Sequence, residues 1–243
     1  MREPNFFLFR YAPVTTAFSI IDVNYDDVVS EWIEWTKSIQ ATLDWDVPVG
    51  QIDGHLEGKL WKLLPLDGRN RLLTETRDGR VAIFANSRFG DGSSDASVIA
   101  RNHQAQLWQL VFVADSVSGN LNRIGSTQFN WDDYGTKTDH WVGHKFRSLA
   151  AHKESRWEWH EGGEPFPWEE LETYKAKRKK ERLIPEMVER YCHHFGIELF
   201  DPDYYAGRAT IVRLIPPNRL ANYDPHIVFP QAYPNQGLAQ ANA

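Results

Sequence analysis

Residues 106–114 (QLWQLVFVA) carry only two polar side chains in nine positions, both glutamine. That pattern reads as a strand covered on both faces, with Trp108, Leu110 and Phe112 pointing one way and Leu107, Val111 and Val113 the other. Such a strand needs a layer above it and another below. Upstream, residues 6–22 alternate loosely between apolar and polar, and 14–21 are rich in strand formers. Asn24 stands where a helix N-cap belongs, and Asp26 and Asp27 follow in the first turn, where the helix dipole favours anions. Val28, Trp32, Trp35, Ile39 and Leu43 then recur every three or four positions, predicting an amphipathic helix that Pro48 and Gly50 bring to an end. Residues 59–64 read as a short strand stopped by Pro65. Residues 71–84 read as a hairpin turning at Asp78-Gly79, and a two-residue turn there pairs Thr76 with Val81, Thr74 with Ile83 and Leu73 with Phe84. Residues 87–97, made of Gly, Ser and Asp, read as a loop. Residues 123–131 and 137–146 are further strand candidates, weakened by Gly125 and Gly143.

The pattern changes near residue 152. Glu154, Glu158, Glu161, Glu164, Glu169, Glu170 and Glu172 are interspersed with Trp157, Trp159 and Trp168 and run into the basic segment 175–182 (KAKRKKER). Acid first and base last is the arrangement a helix dipole prefers, so 167–182 is expected to be a solvent-exposed helix. The basic run reads as its solvated face rather than a nucleic-acid patch, because no aromatic or glycine interleaves it. A second helix is expected from Pro185, with Met187, Val188, Tyr191, Cys192 and Phe195 on its apolar face. Gly196 sits at the left-handed C-cap position, and Ile197 closes over Cys192. Residues 209–215 form a last strand before Pro216-Pro217, and the tail, rich in Pro, Asn and Gln, is expected to fray from about 231. The order of elements predicts an α+β fold: one domain over 1–243, a mainly antiparallel sheet, an N-terminal amphipathic helix and two helices in the C-terminal half.

The composition, 42% hydrophobic and 25% charged, is that of a globular protein. A net charge of −6 argues against nucleic acid and anionic membrane as partners and suits a basic protein. The single cysteine, Cys192, excludes an internal disulfide and fits a reducing compartment. The apolar run 6–9 is short of the about 7 residues of a signal-peptide core and the about 18 of a membrane span, so a cytoplasmic location is expected. Ten Trp, nine Tyr and 13 Phe exceed what a core alone calls for and point to a recognition surface.

Catalytic patterns are sparse. Asp53, Glu57 and Lys59 reproduce, on an expected strand, the layout in which two carboxylates hold Mg²⁺ and a lysine steadies water or phosphate, but a Glu-x-Lys pair is common in a charged chain. His140 and His144 have metal-ligand spacing only on a helix, which Val142 and Gly143 oppose. Cys192 followed by His193 and His194 falls on an apolar stripe and reads as packing plus a favourable helix end. GDGSS at 90–94 lacks the ending of a phosphate loop. No catalytic residue, metal or cofactor is assigned. The candidate partner-binding residues are instead Trp131, Asp132, Asp133 and Tyr134, with Trp157, Glu158, Trp159, Glu161 and Glu164. There, acids that steer lie beside rings that anchor. The same mixture can stack sugars.

Three segments carry a family likeness: YCHHFGIELFDP at 191–202, EWIEW at 31–35 and RDGR at 77–80. Together they resemble immunity proteins of bacterial polymorphic toxin and type VI secretion systems, particularly those paired with restriction-endonuclease-fold DNase toxins. The resemblance implies a cytoplasmic, non-enzymatic α+β protein that binds and neutralises a cognate basic toxin. Two alternatives stay open: a Mg-dependent nuclease-like hydrolase using Asp53, Glu57 and Lys59, and a carbohydrate- or peptide-binding module.

Overall fold

The computed structural model describes residues 11, 14–40, 46–64, 70–86, 93–117, 123–153 and 155–215. In chain order the strands are β1 (Ala17–Ile21), β2 (Val49–Ile52), β3 (Asn70–Glu75), β4 (Val81–Ala85), β5 (Gln106–Val117), β6 (Arg123–Lys137), β7 (His144–Lys153), β8 (Trp157–Gly163) and β9 (Ala209–Arg213). The helices are α1 (Tyr25–Gln40), α2 (Leu56–Trp61), α3 (Ser93–Asn102) and α4 (Pro185–His193). The strands form one nine-stranded sheet, ordered β2-β9-β3-β4-β1-β5-β6-β7-β8. Every pairing is antiparallel. The protein is thus α+β on an antiparallel sheet, as its pattern predicts.

Two cores lie on opposite faces of this sheet. On one face, Phe18, Ile20, Leu72, Phe84, Trp108, Leu110, Phe112, Phe129, Trp131 and Leu149 pack under α2, α4 and the irregular chain around them. On the other, Ile21, Leu73, Val81, Ile83 and Leu107 pack under α1, through Tyr25, Val28 and Trp32, and under α3, through Ala96, Ile99 and Ala100. β5 is fully covered on the first face, whereas on the second only Leu107 joins a core and Val111 and Val113, expected to be covered, are half-buried. The Asn24 cap is present: its Oδ1 accepts the Asp27 backbone N–H at 3.0 Å. The apolar stripe of α1 outlasts its cover, since Trp35 is half-buried and Ile39 is exposed.

The hairpin turns where expected but one residue out of register. Thr76 and Arg80 close a three-residue loop with Gly79 at φ +89°, so Leu73 faces Ile83 and Leu72 faces Phe84. The longer loop wins because it sends Leu73, Val81 and Ile83 into one core and Leu72, Ala82 and Phe84 into the other. Residues 59–64 are not a strand: Leu56 and Leu60, four apart, fix α2 against the core. α3 replaces the C-terminal part of the expected loop at 87–97, its residues 87–92 lying outside the described set. β6 runs beyond the predicted 123–131, most of the strand expected over 137–146 is instead the β6–β7 turn with β7 starting only at His144, and β2 and β8 were not expected.

The expected helix over 167–182 does not form. Its place is taken by turns and two short 3₁₀ segments, Thr173–Lys175 and Lys179–Glu181. The segment has no apolar stripe at helical spacing; its inward residues Phe166, Trp168, Glu169, Tyr174 and Leu183 dip into the core irregularly. What pins it is a buried ion pair. Arg147 of β7, fully buried, donates to Glu169 at 2.8 and 2.6 Å and to the Gly162 and Gly163 carbonyls at 3.1 and 3.0 Å. Glu169 also accepts the Tyr174 hydroxyl at 2.8 Å and the Phe166 N–H at 2.9 Å. Burial opposes the charge on Arg147, but the Glu169 carboxylate more than restores it, leaving its pKa above the ordinary value. The expected end of α4 is present. Gly196 has φ +75°, its N–H reaches the His193 carbonyl at 2.9 Å, and the Ile197 N–H reaches that of Cys192 at 3.1 Å, a Schellman motif. The expected frayed tail lies outside the described residues.

Candidate partner-docking surface

From β5 outward the sheet loses its second layer. Among the described residues, the core under α1 and α3 contains no buried residue of β6, β7 or β8, and only Tyr134 reaches it. Residues paired across an antiparallel ladder carry their side chains on the same side. One row of this open face is therefore Gln109, Asn130, Ser148 and Gly162, and the next is Val111, Gln128, Ala150 and His160. The side chains are short, uncharged or weakly basic, and satisfied in place. The Ser148 hydroxyl donates to Asn130 Oδ1 at 2.7 Å, Gln128 to Ser126 at 2.9 Å, and Gln109 to Ser97 of α3 at 3.2 Å. Neither of these two rows carries a Lys or Arg, although Lys137, paired with His144, stands at the tip end of the face.

At one end this face rises into the β6–β7 hairpin tip. Gly143, at φ +82°, closes the turn: its N–H donates to the His140 carbonyl at 2.7 Å, and its own carbonyl accepts the Thr138 N–H at 3.3 Å. At the apex Trp141 is 89% exposed, more than any other large hydrophobic among the described residues. It does not hang free. The His140 ring lies 5.7 Å from it and 5.0 Å from Phe146, and the Phe146 ring crosses the strand pair over Gly162, where a Cβ would sit 3.3 Å from it. Behind them, His144 meets the Asp132 carboxylate at 2.8 Å and the Tyr134 ring at 4.3 Å, and Arg101 of α3 caps that ring at 5.6 Å. Burial, together with the nearby Asp132 carboxylate, raises the Tyr134 pKa, keeping its hydroxyl protonated. Asp133 accepts the Gly135 N–H at 3.1 Å and the Thr136 hydroxyl at 2.6 Å, shaping the bulge from which the tip projects. Rings, histidines and carboxylates are thus gathered on one hairpin.

The predicted binding residues do not form one patch. Trp131 is 4% exposed, stacked on Phe195 at 5.8 Å, and lies in the core, where no partner can reach it. The alternation of a strand explains this: in β6 the neighbours Asp132 and Tyr134 face out and Trp131 faces in. Trp159 likewise points inward against Tyr174 at 5.1 Å, and Glu161 turns to the buried Arg147 at 3.2 Å. Trp157 lies at the far end of the strands over Gly125. Glu158 pairs with Arg156 at 3.0 Å, which holds its carboxyl below the usual range, and Glu164 is exposed. Trp141, His140 and Phe146, exposed or half-buried at the tip, are not among the residues the sequence singles out for docking. The signal was a Trp two residues before a turn glycine, which a hairpin tip cannot return to the core.

The catalytic alternatives fare differently. Lys59, on a helix instead of a strand, is fully buried and donates to the Tyr205 carbonyl at 3.0 Å, to Thr74 at 3.3 Å and to the Gly207 carbonyl. Burial lowers its pKa. It braces the β3–β9 region and presents no ammonium group to a substrate. Cys192 is buried, and burial pushes its thiol well up, so it packs as expected. The His140 and His144 rings engage different partners. Among the described residues no cluster of three or more His, Cys, Asp or Glu is placed to hold a metal ion, and no helix is long and apolar enough to cross a membrane. No family model, curated protein or solved structure matches this chain.

Proposed function

We propose that this chain is a non-catalytic inhibitor of the immunity type, which neutralises a cognate basic toxin, a nuclease effector in the first instance, by docking it on the open face of β5–β8 and the β6–β7 tip. The observation that carries the reading is Trp141, 89% exposed at the apex of a hairpin whose His140, Phe146, His144 and Tyr134 rings pack on one another and whose His144 is hydrogen-bonded to Asp132. An exposed tryptophan is unfavourable in water, and covering it with a partner removes that large apolar surface from solvent. Asp132, Asp133 and Asp139 lie on the same hairpin, beside Lys137 and Lys145, and it is the net charge of −6 of the whole chain that favours a basic partner. Cells producing the toxin encoded beside this chain are expected to survive when the chain is co-produced, and the purified chain to inhibit that toxin at equimolar concentration. Absence of both protection and inhibition contradicts the proposal.

A further inference from the structure

At the opposite end of the same strands lies a cavity of about 360 Å³ lined by Asp115, Lys153, Trp157, Arg178, Lys179 and Lys180, four cations to one carboxylate. It is some 30 Å from the hairpin tip, the length of β7 at about 3.3 Å per residue. In sequence, the basic run 175–182 has no aromatic among its charges. The fold supplies one. The 3₁₀ segment Lys179–Glu181 packs against β8, whose first residue is Trp157. The Trp157 ring is set by Gly125, where a Cβ would lie 2.9 Å from it, so that only glycine leaves room for it there. Lys153 stands 5.9 Å from the ring centre and is fixed by Asp115 at 3.0 Å. Arg178 is paired with Glu181 at 3.3 Å on an exposed surface and Lys179 feels the Glu158 carboxylate of β8, whereas Lys180 is in no ion pair among the described residues.

We infer that this cavity binds a nucleotide, free or as one unit of a single strand, with the base against Trp157 and the phosphate among Arg178, Lys179 and Lys180. A flat ring beside clustered cations is the pairing that single-stranded nucleic acid and nucleotides require, stacking for the base and charge for the phosphate. The volume is within the range of small-ligand sites. An acidic peptide satisfies the charges but leaves the indole without a flat partner, and duplex DNA presents no unstacked base. The net charge of −6 does not oppose this, because the local excess is positive and fields from exposed charges are screened within about 8 Å at physiological salt.

The test is calorimetric titration of the full chain with adenosine monophosphate, an eight-residue oligothymidylate, inorganic phosphate and hexaglutamate. The nucleotide or the octamer is expected to bind at least about tenfold more tightly than phosphate or hexaglutamate. Lys180→Glu, on an exposed side chain, and Trp157→Ala are each expected to weaken binding about tenfold or more. Trp157→Phe should recover most of the loss. Preference for the octamer with a steep salt dependence identifies a strand as the source, and equal affinity for the monophosphate identifies a free nucleotide. The inference is overturned if neither nucleotide binds more tightly than phosphate, if hexaglutamate matches them, or if Lys180→Glu binds as wild type.

Discussion

Arg147 and Glu169 lie fully buried together, and neither has an alternative solvent shell. Removing one strands the other in a medium of low polarity, which costs about 3–5 kcal/mol where such pairs have been broken. Glu169→Ala is therefore expected to lose that much in urea unfolding. In an Arg147→Met background the same change should cost about 0.5–3 kcal/mol less, since the charge it would orphan is already gone. Alkaline pH tests other buried groups. Burial raises the hydroxyl pKa of Tyr174, Tyr191, Tyr204 and Tyr205 above the ordinary 10.0, so the folded chain keeps protons that the unfolded chain releases. Their contribution is intact below pH 10 and is lost as the pH rises beyond it. Lys59 has the opposite sign. Its folded pKa lies below the ordinary 10.5, so the unfolded chain binds the proton more tightly, and the penalty of burying the charge is relieved as the pH rises toward 10.5. The unfolding free energy of the wild type minus that of Lys59→Met should therefore grow with pH up to that point; a flat difference contradicts a desolvated ammonium.

Two glycines separate backbone cost from steric cost at the scale of single elements. Gly196 ends α4 at φ +75° with nothing within 4 Å of an added Cβ. Gly196→Ala is expected to cost about 1 kcal/mol, the strain of a left-handed alanine alone. Gly163 ends β8 at φ +77°, and a Cβ there would lie 2.1 Å from the Phe146 carbonyl oxygen. Gly163→Ala should cost clearly more, measured in the same denaturant series, because the strand end must move. The elements also show why some of the fold was legible and some was not. α1, α4 and β5 place apolar residues at the period of their own geometry, and all three are readable from residues alone. β7 hides its period because its inward positions include Arg147, whose charge is met by a glutamate 22 residues later, while its outward positions are Phe146, Ser148 and Ala150. β8 hides its period in the same way: Trp157, Trp159 and Glu161 share one side, and Glu161 reads as solvent-facing until Arg147 is placed beside it. The acid-to-base order of 167–182 carries a dipole signal with no apolar stripe beneath it, and charge order alone did not make a helix.

At the scale of the whole molecule, a sheet filled on both faces from β9 to β5 continues as a sheet filled on one. The candidate docking site is that asymmetry: among the described residues α1 and α3 stop short of β6–β8 and of the adjoining part of β5. Local sequence cannot reveal where a second layer ends. Asp132, Asp133 and Tyr134 were legible as candidates and lie on or beside this face, whereas Trp131 and Trp159 required knowing which way their strands point. The central proposal is that the exposed Trp141 at the end of this face anchors a basic protein partner. Calorimetry of the purified chain, as wild type and as Trp141→Ala, with the product of any toxin gene found beside its own tests it most directly. The substitution removes an exposed side chain and should leave thermal unfolding unchanged while weakening binding about 30-fold or more, the loss expected of an interface hot spot. Equal affinity of the two forms, or no association of the wild type, would contradict the account.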